Sequence, residues 1–275
     1  MTRQLSRGLL LTLFLLLVSA CGGGTDPVDP GPDPNPDPDP NPGVARLRLV
    51  HLVPSAGAVR GEIDGEVITN ITYSAASTYR TTEAGQVDVN VRLSANPQTV
   101  FDNTLTLDEG GQYSLLLLEG SAGVEGLLLQ DNLDAPPMGQ INVRLVHASP
   151  AAGEVDVYVT APAAALNTPY AAGLELTDAD TQFDDIPAVN TRIRITAAGT
   201  TTVAFDSGTL ELGALTGANA TLIAINAIDG QDGVDLLVLT PTDRIIYGDV
   251  SLPDPDPDPD PDPDPDPDPD PDPDP

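Results

Sequence analysis

Gln86-Val87-Asp88-Val89-Asn90-Val91-Arg92-Leu93 alternates polar and apolar residues without a break. Successive side chains of a strand point to opposite faces, so a period of two marks a strand with one face in a core and the other in water. Thr191-Arg192-Ile193-Arg194-Ile195 carries the same pattern later in the chain. Further short runs read as strands at 47–52, 99–107, 113–118, 127–129, 143–148, 155–160, 222–226 and 236–239. Turn formers separate them, as in Glu109-Gly110-Gly111 and the Asp-Gly-Gln-Asp-Gly run of 229–233. No sustained helical period interrupts the series. The chain is all-β, and many short strands at regular spacing predict sandwiches.

The strand-rich body also repeats. Arg48-Leu49-Val50-His51 recurs as Arg144-Leu145-Val146-His147, and Pro54, Ala56, Gly57 and Val59 recur as Pro150, Ala152, Gly153 and Val155. Eight of the fourteen positions from 46 to 59 are identical at an offset of 96. Phe101-Asp102 and Phe205-Asp206 match at an offset of 104, which places a net insertion of eight residues in the second copy, near 161–180. The reading is two tandem immunoglobulin-like β-sandwiches, 44–137 and 138–252, with Ala135-Pro136-Pro137 as the hinge. Each copy is long enough to bury a core.

The ends differ in kind. Residues 1–20 read as a lipoprotein signal peptide: Arg3 and Arg7 precede an apolar run from Leu9 to Val18, too short to span a bilayer. Val18-Ser19-Ala20-Cys21 resembles a bacterial lipobox, with Val where Leu is usual. The resemblance implies that Cys21 is lipidated and becomes the new N-terminus. Gly22 rather than Asp after it implies passage to the outer membrane, lipid-anchored on its periplasmic or its outer side. Attached acyl chains contribute about 0.8 kcal/mol per buried methylene, so two or more anchor stably. Cys21 is the sole cysteine, so the body has no disulfide and no thiol nucleophile.

Residues 21–43 form a Pro/Asp/Gly-rich linker behind the lipidated cysteine, and 253–275 an alternating Asp-Pro tail. Both are expected to be disordered in the sense of lacking a core, stiffened towards polyproline II. Aspartates at alternate positions of that helix spiral rather than converge. The tail therefore attracts divalent cations diffusely and does not chelate one.

There are 42 acidic and 11 basic residues, giving a net charge of −31, and every basic residue is Arg. Such a field repels nucleic acid and anionic lipid. The absence of Lys and Trp removes a Walker lysine and the best sugar-stacking platform.

The repeated motif resembles domain-of-unknown-function family 4397, a β-rich module of secreted bacterial proteins whose opening pattern is close to R-x-V-H-x-x-P followed by V-D-V-Y. The second copy keeps both parts, in Arg144, Val146, His147 and Pro150 and then Val155-Asp156-Val157-Tyr158. The first keeps Arg48, Val50, His51 and Pro54 but has Val59-Arg60-Gly61-Glu62 next. It matches later family features in Ser77-x-Tyr79, Ala84-Gly85 and Gly110-Gly111-Gln112-Tyr113. The resemblance implies two copies of a secreted β module and carries no activity with it.

Candidate sites are few. His51 and His147 could serve as bases or metal ligands. Neither has a Ser or Cys motif beside it, and bonding to loop backbone where the first strand bends is the plainer reading. Asp229, Asp232 and Asp235 are calcium candidates on a Gly-rich loop, against a plain hairpin turn. Asp178, Asp180, Asp184 and Asp185 read as a solvated loop beside the insertion. No cofactor and no catalytic residue is expected. The first functional reading is a non-enzymatic cell-envelope lipoprotein that presents two sandwiches to a protein or envelope component. A structural spacer without a ligand comes second, and a carboxylate-based hydrolase third.

Overall fold

The computed structural model describes residues 43–96, 98–179, 183–228 and 233–249. The segment 1–20 expected as a signal peptide, Cys21 with the expected linker up to 42, and the tail 253–275 lie outside the described residues.

The first copy holds eight strands: β1 (Val44–Leu52), β2 (Val59–Ile63), β3 (Glu66–Ile71), β4 (Arg80–Glu83), β5 (Gly85–Leu93), β6 (Thr99–Leu107), β7 (Gln112–Gly120) and β8 (Gly123–Gln130). The second holds β9 (Gln140–Ala148), β10 (Val155–Thr160), β11 (Ala171–Leu174), β12 (Asp184–Pro187), β13 (Asn190–Ala197), β14 (Val203–Asp206), β15 (Leu210–Glu211), β16 (Asn219–Asn226), β17 (Val234–Leu239) and β18 (Arg244–Tyr247). A single 3-10 turn, Leu212–Leu215, is the one helical element among the described residues.

Each copy is a sandwich. In the first, sheet β4-β1-β7-β8 faces sheet β3-β2-β5-β6. In the second, β12-β9-β16-β17-β18 faces β11-β10-β13-β14, with β15 added to β13. The alternation of β5 delivers Val87, Val89 and Val91 to the first core at 0% exposure. Ile193 and Ile195 of β13 do the same in the second. The likeness to immunoglobulin domains is one of architecture and not of strand order. Here the first strand is internal to its sheet and runs parallel to a late strand of the same copy, β1 with β7 and β9 with β16.

The insertion of the second copy can be placed from the pairing. Val59 pairs with Ile71, and its equivalent Val155 with Leu174, so the offset has risen from 96 to 103 by that point. Leu47 with Arg80 and Val143 with Asp184 give 104. Nearly all the extra residues thus form the loop between β10 and β11. That loop is held by the outer-face arginines of β13: Arg192 Nη1 donates to Pro162 O (3.2 Å) and Arg194 Nη2 to Ala164 O (2.7 Å).

The parallel pairs are buried on both faces, and the sandwiches therefore do not stand apart. Val50, Leu52, Leu116, Leu118 and Leu129 of the first copy and Val146, Ala148, Ile223, Ile225, Leu237 and Leu239 of the second form one further core. The body is four sheets deep with three apolar layers. The Ala135-Pro136-Pro137 segment, expected as a hinge, joins modules that are packed against each other, and the inner strands of each central sheet are covered on both faces.

One shared layer should make unfolding cooperative across both copies. Leu116→Ala is expected to cost about 2–5 kcal/mol and to shift a single urea transition that both sandwiches share. Two separated transitions in the parent protein would contradict the shared core.

Candidate functional site

The alternation of β1 puts Arg48, Val50 and Leu52 on the face that meets the second sandwich, and β9 does the same for Arg144, Val146 and Ala148. The two motif arginines are thereby buried, at 4% and 1% exposure. Each is held by its own sheet and by the opposite copy. Arg48 Nε donates to Ser114 Oγ (2.8 Å) and Nη1 to Thr240 O (2.7 Å), just beyond β17. Arg144 Nε donates to Thr221 Oγ1 (2.9 Å) and Nη1 to Gln130 O (2.7 Å), the end of β8. The Tyr79 and Phe183 rings lie 4.6 Å from the guanidinium carbons of Arg48 and Arg144 respectively. Tyr73 Oη also crosses, donating to Asn226 O (2.9 Å), as does Arg244 Nη1 to Ser74 O (2.6 Å).

The exchange through the two arginines is near-symmetric, and Asp131 breaks the symmetry. Asp131 accepts from Arg144 Nη2 (2.6 Å), Ser114 Oγ (2.7 Å) and Tyr79 Oη (2.7 Å), and lies 4.0 Å from Arg48 Nη2. Its counterpart after β17 is Pro241, so two guanidinium groups share one carboxylate. Burial pushes the Arg144 guanidinium below its ordinary value, and Asp131 pulls it back. Burial, then the charge of Asp131, pushes the Tyr79 phenol up to about 12. Asp131→Ala strands both guanidinium groups away from water. It is expected to cost about 3–5 kcal/mol, read as a shift of the urea midpoint, and Asp131→Asn should recover little of it because the amide carries no charge.

His51 and His147 point to the other face of their strands. His51 Nε2 lies 3.0 Å from Gly57 O, and Val53 N donates to its Nδ1 (3.3 Å). His147 Nε2 lies 2.6 Å from Gly153 O, and Ser149 N donates to its Nδ1 (3.4 Å). A nitrogen that accepts a backbone N–H is unprotonated, so the proton of each ring sits on Nε2 and both rings are neutral. Pro54 and Pro150 occupy the first corner of the turns these rings brace, closed by Ala56 N to Val53 O and Ala152 N to Ser149 O (3.2 Å each). Burial pushes both imidazoles below their ordinary value of 6.5, against smaller upward pulls from Gly57 on His51 and from Gly153 on His147.

A ring that resists protonation in the fold accepts it readily once unfolded. The stability it contributes is therefore complete above the unfolded value of 6.5 and drains as pH falls from there towards the lower folded value. Melting temperature is expected to fall between about pH 7.5 and 5.5, and to fall less in a variant carrying His51→Gln and His147→Gln. An unchanged pH slope in that variant would count against the imidazoles as its source.

The acidic candidates separate. Asp229, Asp232 and Asp180 lie outside the described residues. Asp235 is buried on β17, where Oδ2 accepts from Ile228 N (3.0 Å). Asp184 and Asp185, read from sequence as loop, lie on the edge strand β12 and accept from Tyr170 Oη (2.9 Å) and Asn142 Nδ2 (2.6 Å). Asp178 accepts from Glu175 N (2.9 Å). Among the described residues no three His, Asp or Glu side chains gather in a group that could hold a metal ion. Two carboxylates gain roles that the sequence reading did not assign. Asp156, in the V-D-V-Y segment, accepts from Gly173 N and Gly199 N (2.8 Å each), pinning two left-handed glycines. Asp206 takes a two-pronged bond from Arg192, which holds its carboxyl below the usual range.

The family model for Domain of unknown function (DUF4397) matches residues 45–158, from β1 through the V-D-V-Y segment of β10. One match is found where the sequence reading expected two copies. No curated protein matches the chain. A crystal structure of a candidate adhesin from Bacteroides ovatus is similar over 74% of this chain and 95% of that one, at 8% identity and a TM-score of 0.23.

Proposed function

We propose that the chain is a non-enzymatic cell-envelope lipoprotein. Lipid on Cys21 anchors it to the outer membrane, the Pro-Asp linker holds it off the surface, and the two sandwiches present one acidic body to a protein or envelope component. The observation that carries the non-enzymatic reading is the commitment of the polar groups a hydrolase would use. Both imidazoles are tied to turn backbone, Asp131 to Arg144, and Asp206 to Arg192. Such groups brace a scaffold and leave recognition to the surface. A plain spacer would gain nothing from the half-exposed Leu127 and Leu128 on the outer strand β8. Such a strand suits a binding module.

Wild type and Cys21→Ala are to be compared by membrane fractionation and by protease shaving of intact cells. The wild-type body is expected with the outer membrane and the variant in the soluble fraction. Equal solubility of the two would sink the anchor. Cleavage of wild type on intact cells would place the partner outside the cell, and protection until the outer membrane is opened would place it in the periplasm.

A further inference from the structure

The two copies treat equivalent edges differently. β17 pairs with β16 on one side and with β18 on the other, and all six of its residues are buried. Its equivalent β8 pairs with β7 alone among the described residues, because the chain leaves for the second copy instead of turning back. Leu129 corresponds to Leu239 through their partners Ser114 and Thr221, which makes Gly126–Leu129 the counterpart of Leu236–Leu239, the segment that β18 covers. There Gly126 is exposed and Leu127 and Leu128 are half-buried. Leu127 reaches the shared layer and Leu128 the first core. Both apolar layers thus stop one strand short on this side. The run also contains no charge and no proline, the usual guards of an edge.

We propose that the outer edge of Gly126–Leu129 is a strand-addition site for an extended segment of another protein, apolar at successive positions and beginning with a basic residue. This rests on the reading of the chain as a binding module. β18 is the internal template for the occupant. It runs antiparallel, pairing Leu239 with Arg244 and Leu236 with Tyr247. Ile246 enters the shared layer, while Ile245 and Tyr247 pack on the second core. Arg244 donates to Ser74 O of the other copy.

The repeat equivalent of Ser74 is Thr177. Both have positive φ (61° and 72°), and both donate N–H to the carbonyl of the motif histidine. Thr177 sits in a segment with Glu175 and Asp178 where Ser74 has Thr72 and Ala75, so a cation at the start of the added strand meets more negative charge than Arg244 does. A second copy of this chain is disfavoured as occupant by the net charge of −31 that each carries. The Pro-Asp segments are disfavoured by proline at alternate positions and by their own carboxylates.

The test uses the full chain and a synthetic peptide of residues 242–248, Thr-Asp-Arg-Ile-Ile-Tyr-Gly, followed by residue-resolved amide hydrogen exchange. Without peptide, outward amides of 126–129 are expected to exchange about tenfold or more faster than those of 236–239. Peptide is expected to protect 126–129 saturably, and its Arg244→Glu form to bind about tenfold more weakly. Four results would each overturn the proposal. These are equal protection of the two edges before peptide is added, no gain at 126–129 at any peptide concentration, loss of protection at β18 in place of a gain at β8, and concentration-dependent protection with doubled mass, which would make the occupant a second copy. Retention of wild type in the membrane fraction alongside any of these would leave the lipoprotein reading intact and remove only the edge site.

Discussion

Each central sheet has apolar residues on both faces, and the rest of the structure follows from the need to cover the second one. β1 and β7 turn Leu47, Leu49, Leu115 and Leu117 to their own core and Val50, Leu52, Leu116 and Leu118 away from it. A lone sandwich would leave that second set in water, at roughly 1.5–3 kcal/mol for each large side chain. β9 and β16 pose the same problem, and the two faces solve it by meeting. Apolar contact does not by itself choose one register over another, because it has no direction. The arginines supply direction. Each needs its counterpart's strand-end carbonyl at 2.7 Å, and a slipped interface would leave a guanidinium buried without partners.

The departures from symmetry are where the copies acquire different tasks. Asp131 neutralises part of the paired arginines from one side only, since Pro241 stands in the other place. The inserted loop between β10 and β11 covers the outer face of β13 through Arg192 and Arg194, while the corresponding β2–β3 connection is a tight turn through Asp64 and Gly65, both left-handed. β18 closes one edge of the second central sheet, and nothing equivalent closes β8 among the described residues. The motif is shared, whereas the surface is not.

Strands that alternate strongly or are unbroken apolar runs were legible in the sequence, and those that hide half their length were not. Residues 99–107 and 155–160 coincide with β6 and β10 because their bounding turns carry Gly, Asn, Pro or Asp. β2, β3, β4, β11, β12, β14, β15 and β18 went unread. Most are short strands near an edge, and residues such as Arg80-Thr81-Thr82-Glu83 bond through backbone while their side chains face water. The shared layer did leave a trace: Leu115-Leu116-Leu117-Leu118 is apolar at every position, as a strand buried on both faces should be. The role of the motif arginines left none. Arg48 and Thr240 are 192 residues apart, and nothing local marks a cation that will be buried against a carbonyl so distant.

The same geometry bears on where recognition can reside. A buried side chain that bonds strand ends and turn backbone is held by the fold. Arg48, Arg144, His51 and His147 each bond a strand-end or turn carbonyl in this way, and all four belong to the repeated motif. Repetition here follows from structural need, because both copies must brace the same bend and cross the same layer. The proposed recognition is therefore sought where the copies differ and where backbone or apolar side chains still face solvent. Under the proposed binding role, locking the sandwiches into one body serves binding as well as stability. In the proposed strand addition, an edge carried on a four-sheet body is ordered before a partner arrives, so the partner's segment alone would lose conformational freedom on docking.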